Sequence, residues 1–306
     1  MNTIRYEFNE AEIQEIFEQY IVHRIFDTAT PALSGNTPIT VLIGAQPAAG
    51  KTSGQKRTIE LYNTELIPII GDDFRQFHPQ YDEIMDANPL SMPDATKQLS
   101  ALLVEKSIEY ANEHGFSTII EGTWRSSNVV MNTAQAAKDY GRDVHLTVLA
   151  TKPAISRIGM FSRYYDDTSH GIQARWTPPV AHETVLKNLD SNIMNFALSG
   201  LFDRYKAITR SGKLIYDGTD GKAWHDAWRK EFTAPLTAEE QRFVDARSER
   251  YVRLAGEYTP ERVREVDSVL SAARSGSTDP LIYVEPYMRN GKPVSGYFRH
   301  APTHRK

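Results

Sequence analysis

Residues 39–53 read ITVLIGAQPAAGKTS, and the fold turns on how this stretch divides. ITVLIG (39–44) is a short, apolar, β-branched run of the kind found in a strand buried on both faces. Gly50-Lys51-Thr52 ends a near-match to G-x-x-x-x-G-K-[ST], the loop whose backbone N–H groups surround a phosphate at the start of a helix. Counting back from Gly50, the first glycine of the pattern falls on Ala45, and Gly44 stands one place early as the end of the strand. The loop proper is therefore 45–52. A strand before it and a helix over 51–62 supply the context that confirms such a motif. Gln46, Pro47, Ala48, Ala49, Gly50, Lys51, Thr52 and Ser53 are its candidate nucleotide-binding residues, with Lys51 reaching the β- and γ-phosphates and the Thr52 hydroxyl meeting Mg²⁺. Alanine at 45 and 48 disfavours positive φ and would strain the loop wherever a left-handed backbone is required.

The alternation continues outward from this loop. LIPII (66–70), FSTIIEG (116–122) and DVHLTVLA (143–150) read as strands, with weaker ones near 204–208 and 213–216. Helical periodicity spans Asn9 to about Phe26, Pro93 to about His114 with Gly115 as C-cap, and about 127–140, 153–165 and 179–199. Strands alternating with helices predict an α/β fold, a mostly parallel sheet flanked by helices in the P-loop kinase manner. After about Pro235 the texture changes. Thr237 and Glu240 form a capping-box start to a charged helix over 237–256, a second helix covers about 260–274, and Asn290-Gly291 marks a hairpin. The chain divides on this pattern into a kinase domain (1–235) and a C-terminal extension (236–306).

Composition narrows the function. The net charge of −4 supplies no basic field for nucleic acid or an anionic membrane. The chain has no cysteine, which removes disulfides, thiol nucleophiles and Cys-ligated zinc from consideration. The N-terminus lacks a basic segment followed by an apolar run, and no apolar stretch reaches the roughly 18–20 residues of a membrane span, so a cytoplasmic location is expected.

Carboxylates end two of the strands: Asp72-Asp73 after LIPIIG, and Glu121 before Gly122-Thr123. Parallel sheets gather function at the carboxyl ends of their strands, so Lys51, Asp72 and Glu121 are expected on one rim. A carboxylate on the second strand after a phosphate loop suits a base taking a proton from an acceptor hydroxyl. Arg163 and Arg175 follow the fourth strand, and arginine's planar fork suits a transferring phosphoryl group. His78 and His182 read as structural, and no spacing suggests a protein-built metal cage, so Mg²⁺ would arrive with ATP.

AQPAAGKTS, GDDFRQFHPQYDE, IIEGTWR, SRYYDD and ARWTPPVAHETVLKNL, in this order and spacing over about residues 10–230, resemble the zeta-toxin family of bacterial toxin–antitoxin kinases. The resemblance implies phosphorylation of the sugar 3′-hydroxyl of UDP-N-acetylglucosamine by ATP and Mg²⁺, with a product that blocks early peptidoglycan synthesis. It implies that Asp72 is the base, that Lys51 and Thr52 hold phosphates and metal, and that Arg163 and Arg175 clamp the moving phosphoryl group. Glu105, Glu121 and Thr123 fall on positions that hold the UDP-sugar, with Asp73, Arg75 and Arg125 as further substrate contacts. The family loop normally carries glycine where Ala45 and Ala48 stand, a small hydroxyl residue is frequent at the place of Asp73, and a small one is usual at Trp124. A small antitoxin protein is the implied partner, and the 237–274 helices fit an inhibitor in cis as well as a docking module. Two other readings stand beside this one: a P-loop kinase of another small hydroxylated molecule, and a weakly active nucleotide-binding protein acting through partners.

Overall fold

The computed structural model describes residues 4–33, 35–88, 91–174 and 176–302. Its centre is a sheet of β1 (Ile39–Gly44), β2 (Ile67–Ile69), β3 (Thr118–Gly122), β4 (Asp143–Ala150), β5 (Arg204–Thr209) and β6 (Leu214–Gly218). The order is β2-β3-β1-β4-β5-β6, parallel throughout except for β6, which returns antiparallel beside β5. β1 is buried from Thr40 onward and β4 from Val144 onward, as continuous apolar runs in the middle of a covered sheet should be. Pro68 sits in β2 because that strand is the sheet edge, where a missing N–H costs no ladder bond.

Twelve α-helices are described: α1 (Glu10–Ile16), α2 (Lys51–Ile59), α3 (Gly71–Phe74), α4 (Tyr81–Ala87), α5 (Met92–Ala95), α6 (Lys97–Glu113), α7 (Ser127–Asp139), α8 (Pro153–Ser169), α9 (Pro179–Leu198), α10 (Gly221–Phe232), α11 (Ala238–Tyr258) and α12 (Val263–Arg274). Asn9 caps α1 through a capping box with Glu12, and the helix widens to π winding over Phe17–Phe26. The expected helix from Pro93 to His114 is divided at Thr96, whose hydroxyl bonds Met92 O at 2.8 Å and receives Arg75 at 2.8 Å. α10 was not anticipated from the sequence. Its Trp224, Trp228 and Phe232, four residues apart, fill one buried helix face, and Asp220 caps it through the N–H groups of Lys222 and Ala223.

α11 begins on the Thr237–Glu240 capping box, as expected. α11 and α12 lay Val244, Tyr251, Leu254, Val266, Val269 and Leu270 against Ile158, Met160, Phe161 and Tyr165 of α8, a second core beside that of the sheet. Beyond them, β7 (Leu281–Val284) pairs antiparallel with β10 (Tyr297–His300), and β8 (Tyr287–Arg289) with β9 (Lys292–Val294). Asn290 and Gly291 have φ of 51° and 75°, the two positive angles a two-residue type I′ hairpin requires. Among the described residues no helix is long and apolar enough to cross a membrane.

Candidate active site

β1 delivers the chain to the sheet's carboxyl rim, and the loop turns there into α2 across Gly50 at φ 94°. The protein grips this loop from outside. Gln46 Nε2 donates to Thr151 O at 2.7 Å and Ser156 Oγ at 3.1 Å. Thr151 Oγ1 donates to Ala49 O at 2.8 Å, and an Arg210 guanidinium nitrogen to Ala48 O at 2.8 Å. A peptide unit is planar, so holding the Ala49 carbonyl from behind turns the Gly50 N–H the opposite way. Gln46 thereby secures the loop from within the core, where it is fully buried, instead of facing a nucleotide.

The two alanines have different standing. Ala45 is fully buried and does not appear among the positive-φ residues, so its methyl group is packing. Ala48 is left-handed at φ 59°, a conformation costing roughly 1–2 kcal/mol for a residue with a Cβ. Ala48→Gly is therefore expected to stabilise the protein by about 1 kcal/mol, and Ala45→Gly to destabilise it by about 1 kcal/mol through the lost methyl and added chain freedom. Melting curves of the two single variants should move a few degrees in opposite directions. Shifts of the same sign would show that the strain does not reside at 48.

Gly44 is required by a neighbour. It pairs in register with Gly122, and a Cβ on it would lie 2.0 Å from the Trp124 ring. Trp124 is 3% exposed, packs edge-on against Phe196 and Trp224, and has φ 54°, an outlier for so bulky a residue. Asn192 Nδ2 holds this turn through Trp124 O at 2.8 Å. The large side chain at 124 is thus core packing that also forms part of a cleft wall.

The strand ends bring the charged residues together. Lys51 Nζ lies 3.7 Å from Glu121 Oε1, both nearly buried. Burial pushes the Glu121 carboxyl up; Lys51 pulls it down, Asp72 and Asp73 push it further up, and Arg163 opposes them. Asp73 is likewise raised, by burial first and by Asp72 second. Arg75 Nε donates to Asp72 Oδ1 at 3.0 Å while its Nη1 donates to both Pro93 O and the Thr96 hydroxyl, so Asp72 is positioned by an arginine that is itself anchored.

Two clefts meet at Lys51, Asp72, Arg75, Glu121 and Thr123. One, about 560 Å³, is lined by the loop (Pro47, Ala48, Gly50, Thr52), Asp73, Arg163 and Trp176. The other, about 450 Å³, runs over Gly71, Ser100, Val104, Glu105, Ile108 and Trp124. Asp73 thus lies on the loop side of Asp72, while Glu105 lies on the far side. Ser53 and Arg125 are exposed outside both clefts, Ala49 is buried beneath the loop, and Arg175 lies outside the described residues.

Behind the loop, Ser156 Oγ bonds His182 Nε2, and His182 Nδ1 bonds Glu183, both at 2.9 Å. The order is that of a hydrolase triad, but all three residues are buried and Glu183 also binds Arg157 with both oxygens, so the chain positions structure. Burial raises the Glu183 carboxyl, and the bonds from Arg157 and His182 more than offset this, bringing it down to about 2. Burial lowers His182, which together with its partners makes it structural, as its sequence context implied. His78, also buried and lowered, bonds Arg5 O.

With this geometry in place, the relatives become informative. Residues 22–220 match the family model described as Zeta toxin. The chain belongs to the zeta toxin family. Among zeta toxin relatives, Toxin PezT of Streptococcus pneumoniae serotype 4 is 30% identical over 188 residues, covering 61% of this chain and 74% of PezT. Toxin zeta of Streptococcus pyogenes is 29% identical over 217 residues, 69% of this chain and 75% of that protein. A solved structure from the PezAT chromosomal toxin–antitoxin system of S. pneumoniae superposes with TM-score 0.69 at 23% identity, over 81% of this chain and 98% of that one. The mixed α/β fold, with its mostly parallel sheet flanked by helices, is therefore shared with that toxin–antitoxin protein.

Sequence reading passed over Arg210, Asn192 and Trp176. Arg210 and Asn192 act on backbone carbonyls more than 60 residues away in the chain, and no local pattern announces such a contact.

Proposed function

We propose that the protein is an ATP-dependent kinase that phosphorylates the sugar 3′-hydroxyl of UDP-N-acetylglucosamine or a related UDP-sugar, and that it acts as the toxin of a toxin–antitoxin pair. The observation that carries this reading is the meeting of two clefts at Lys51, Asp72 and Glu121: a phosphate loop on one side and a separate acceptor cleft on the other. The nucleotide phosphates lie along the loop against the N-terminus of α2, with Lys51 and Arg163 facing the γ-phosphoryl group. The acceptor hydroxyl enters from the Glu105 side. Its oxygen attacks the γ-phosphorus, Asp72 takes its proton, and the bond to the ADP oxygen breaks.

Thr52 on the loop side, with Asp72 and Asp73 nearby, supplies the hard oxygen donors that Mg²⁺ takes, and the ion would neutralise phosphate charge there. Among the described residues no group of three or more His, Asp or Glu is arranged as a metal site. The toxin role rests on the zeta toxin family and on relatives named as toxins, and the implied partner is a small antitoxin protein.

The test is coupled ADP release by purified protein given ATP, Mg²⁺ and a panel of UDP-sugars, nucleosides and aminoglycosides. Turnover is expected only with UDP-sugars. Turnover with a different acceptor would reassign the substrate, and none with any acceptor would favour a binding protein acting through partners.

A further inference from the structure

A third cavity, of about 670 Å³, lies at the carboxyl ends of β4 and β5, on the opposite side of the loop from the acceptor cleft. Ala150 to Lys152 and Ile155 line one side and Thr209, Arg210, Ser211 and Lys213 another, with Ile215 and Glu231 beside them; α11 closes a further side with Glu239, Glu240 and Phe243. Two of these residues touch the phosphate loop directly, Thr151 at the Ala49 carbonyl and Arg210 at the Ala48 carbonyl. The cavity is thus one hydrogen bond away from the phosphate loop. We propose that it takes the nucleoside end of the nucleotide, so that the C-terminal extension, through Phe243, builds part of the donor site. This rests on the kinase reading above.

The chemistry of the walls favours a base and sugar over a second phosphate. Of the three cations in the lining, Lys152 is engaged by Glu240 at 2.6 Å and by Pro235 O and Arg210 by the loop, leaving Lys213 against Glu231 and Glu239, carboxylates suited to amino and hydroxyl donors. Phe243 is 43% exposed, a large apolar ring at the rim of a polar cavity, and the Arg247 guanidinium lies 5.7 Å from its centroid. Nucleobases stack on such rings whatever their hydrogen-bonding edge. The family-model match ends at residue 220, so Phe243 lies outside the matched segment.

Calorimetric titration of the full chain with Mg²⁺ and either ATP or inorganic tripolyphosphate separates the two ends of the site. Wild type should bind ATP more tightly than tripolyphosphate. Phe243→Ala should weaken ATP about tenfold and leave tripolyphosphate unchanged, whereas Phe243→Tyr should retain ATP affinity. The inference is overturned if Phe243→Ala binds ATP as wild type does, or loses both ligands equally. Lys51→Ala tests the kinase reading separately, since it should weaken both ligands. A wild type that binds neither overturns the phosphate loop and this inference together.

Discussion

Asp72→Asn will lower kcat by about 10²–10⁴-fold, the range spanned by general-base catalysis, and will leave the KM for ATP within a few-fold of wild type. That loss corresponds to roughly 3–5 kcal/mol of transition-state stabilisation. The asparagine keeps the shape of the side chain and an oxygen for Arg75, so the variant isolates proton transfer from the positioning of α3. Asp72 is 44% exposed at its side chain, which allows the replacement without unfolding. Lys51→Ala should differ in kind, because it removes the proposed phosphate ligand: ATP binding and kcat should fall together. In a bacterial host both variants should lose growth inhibition. A folded Asp72→Asn enzyme within tenfold of wild-type kcat would remove Asp72 as the base and leave Glu121 as the next candidate, since its raised carboxyl lies in the same cluster.

Much of this site could be read from the chain because its parts are local. A β-branched run ending in Gly44, a Gly-Lys-Thr at a helix start, and acidic residues at two strand ends each occupy a few consecutive positions. Parallel topology then brings them together without further information: β1 pairs with β3 so that Ile43 stands beside Glu121, and β2 lies on the other side of β3. What escaped reading depends on contacts between distant segments. The requirement for glycine at 44 comes from a tryptophan 80 residues on, whose own backbone is left-handed. The strain at Ala48 and the absence of strain at Ala45 depend on φ angles that an alanine pair in a loop does not disclose. α10 carries a clear stripe at Trp224, Trp228 and Phe232 that the sequence reading passed over. The helices after 236 show their charges in the sequence, while the apolar stripe at Val244, Tyr251 and Leu254 gives no clue that its partner is α8.

That pairing changes what deletion of 236–306 should do. The truncated chain is expected to be insoluble or to lack a cooperative thermal transition, instead of being a hyperactive kinase freed from an inhibitor. Removal of α11 and α12 uncovers Ile158, Met160, Phe161 and Tyr165, each at most 1% exposed in the full chain. At roughly 1.5–3 kcal/mol per large apolar side chain, the loss is on the order of 6–12 kcal/mol. A whole domain has only about 5–15 kcal/mol to lose. Polar groups suffer as well: Arg157 donates to Ser277 O and Asp279 O, and Glu183 accepts from the Leu281 N–H, so deletion strips partners from a buried ion pair. The same pair holds His182 and, through Ser156, Gln46 of the 45–52 loop, so damage to the tail reaches the proposed nucleotide site along continuous hydrogen bonds. Solubility, melting and ATP titration of the 1–235 protein decide the matter. A soluble fragment that melts cooperatively and turns over faster than the full chain would restore the extension as an inhibitor in cis.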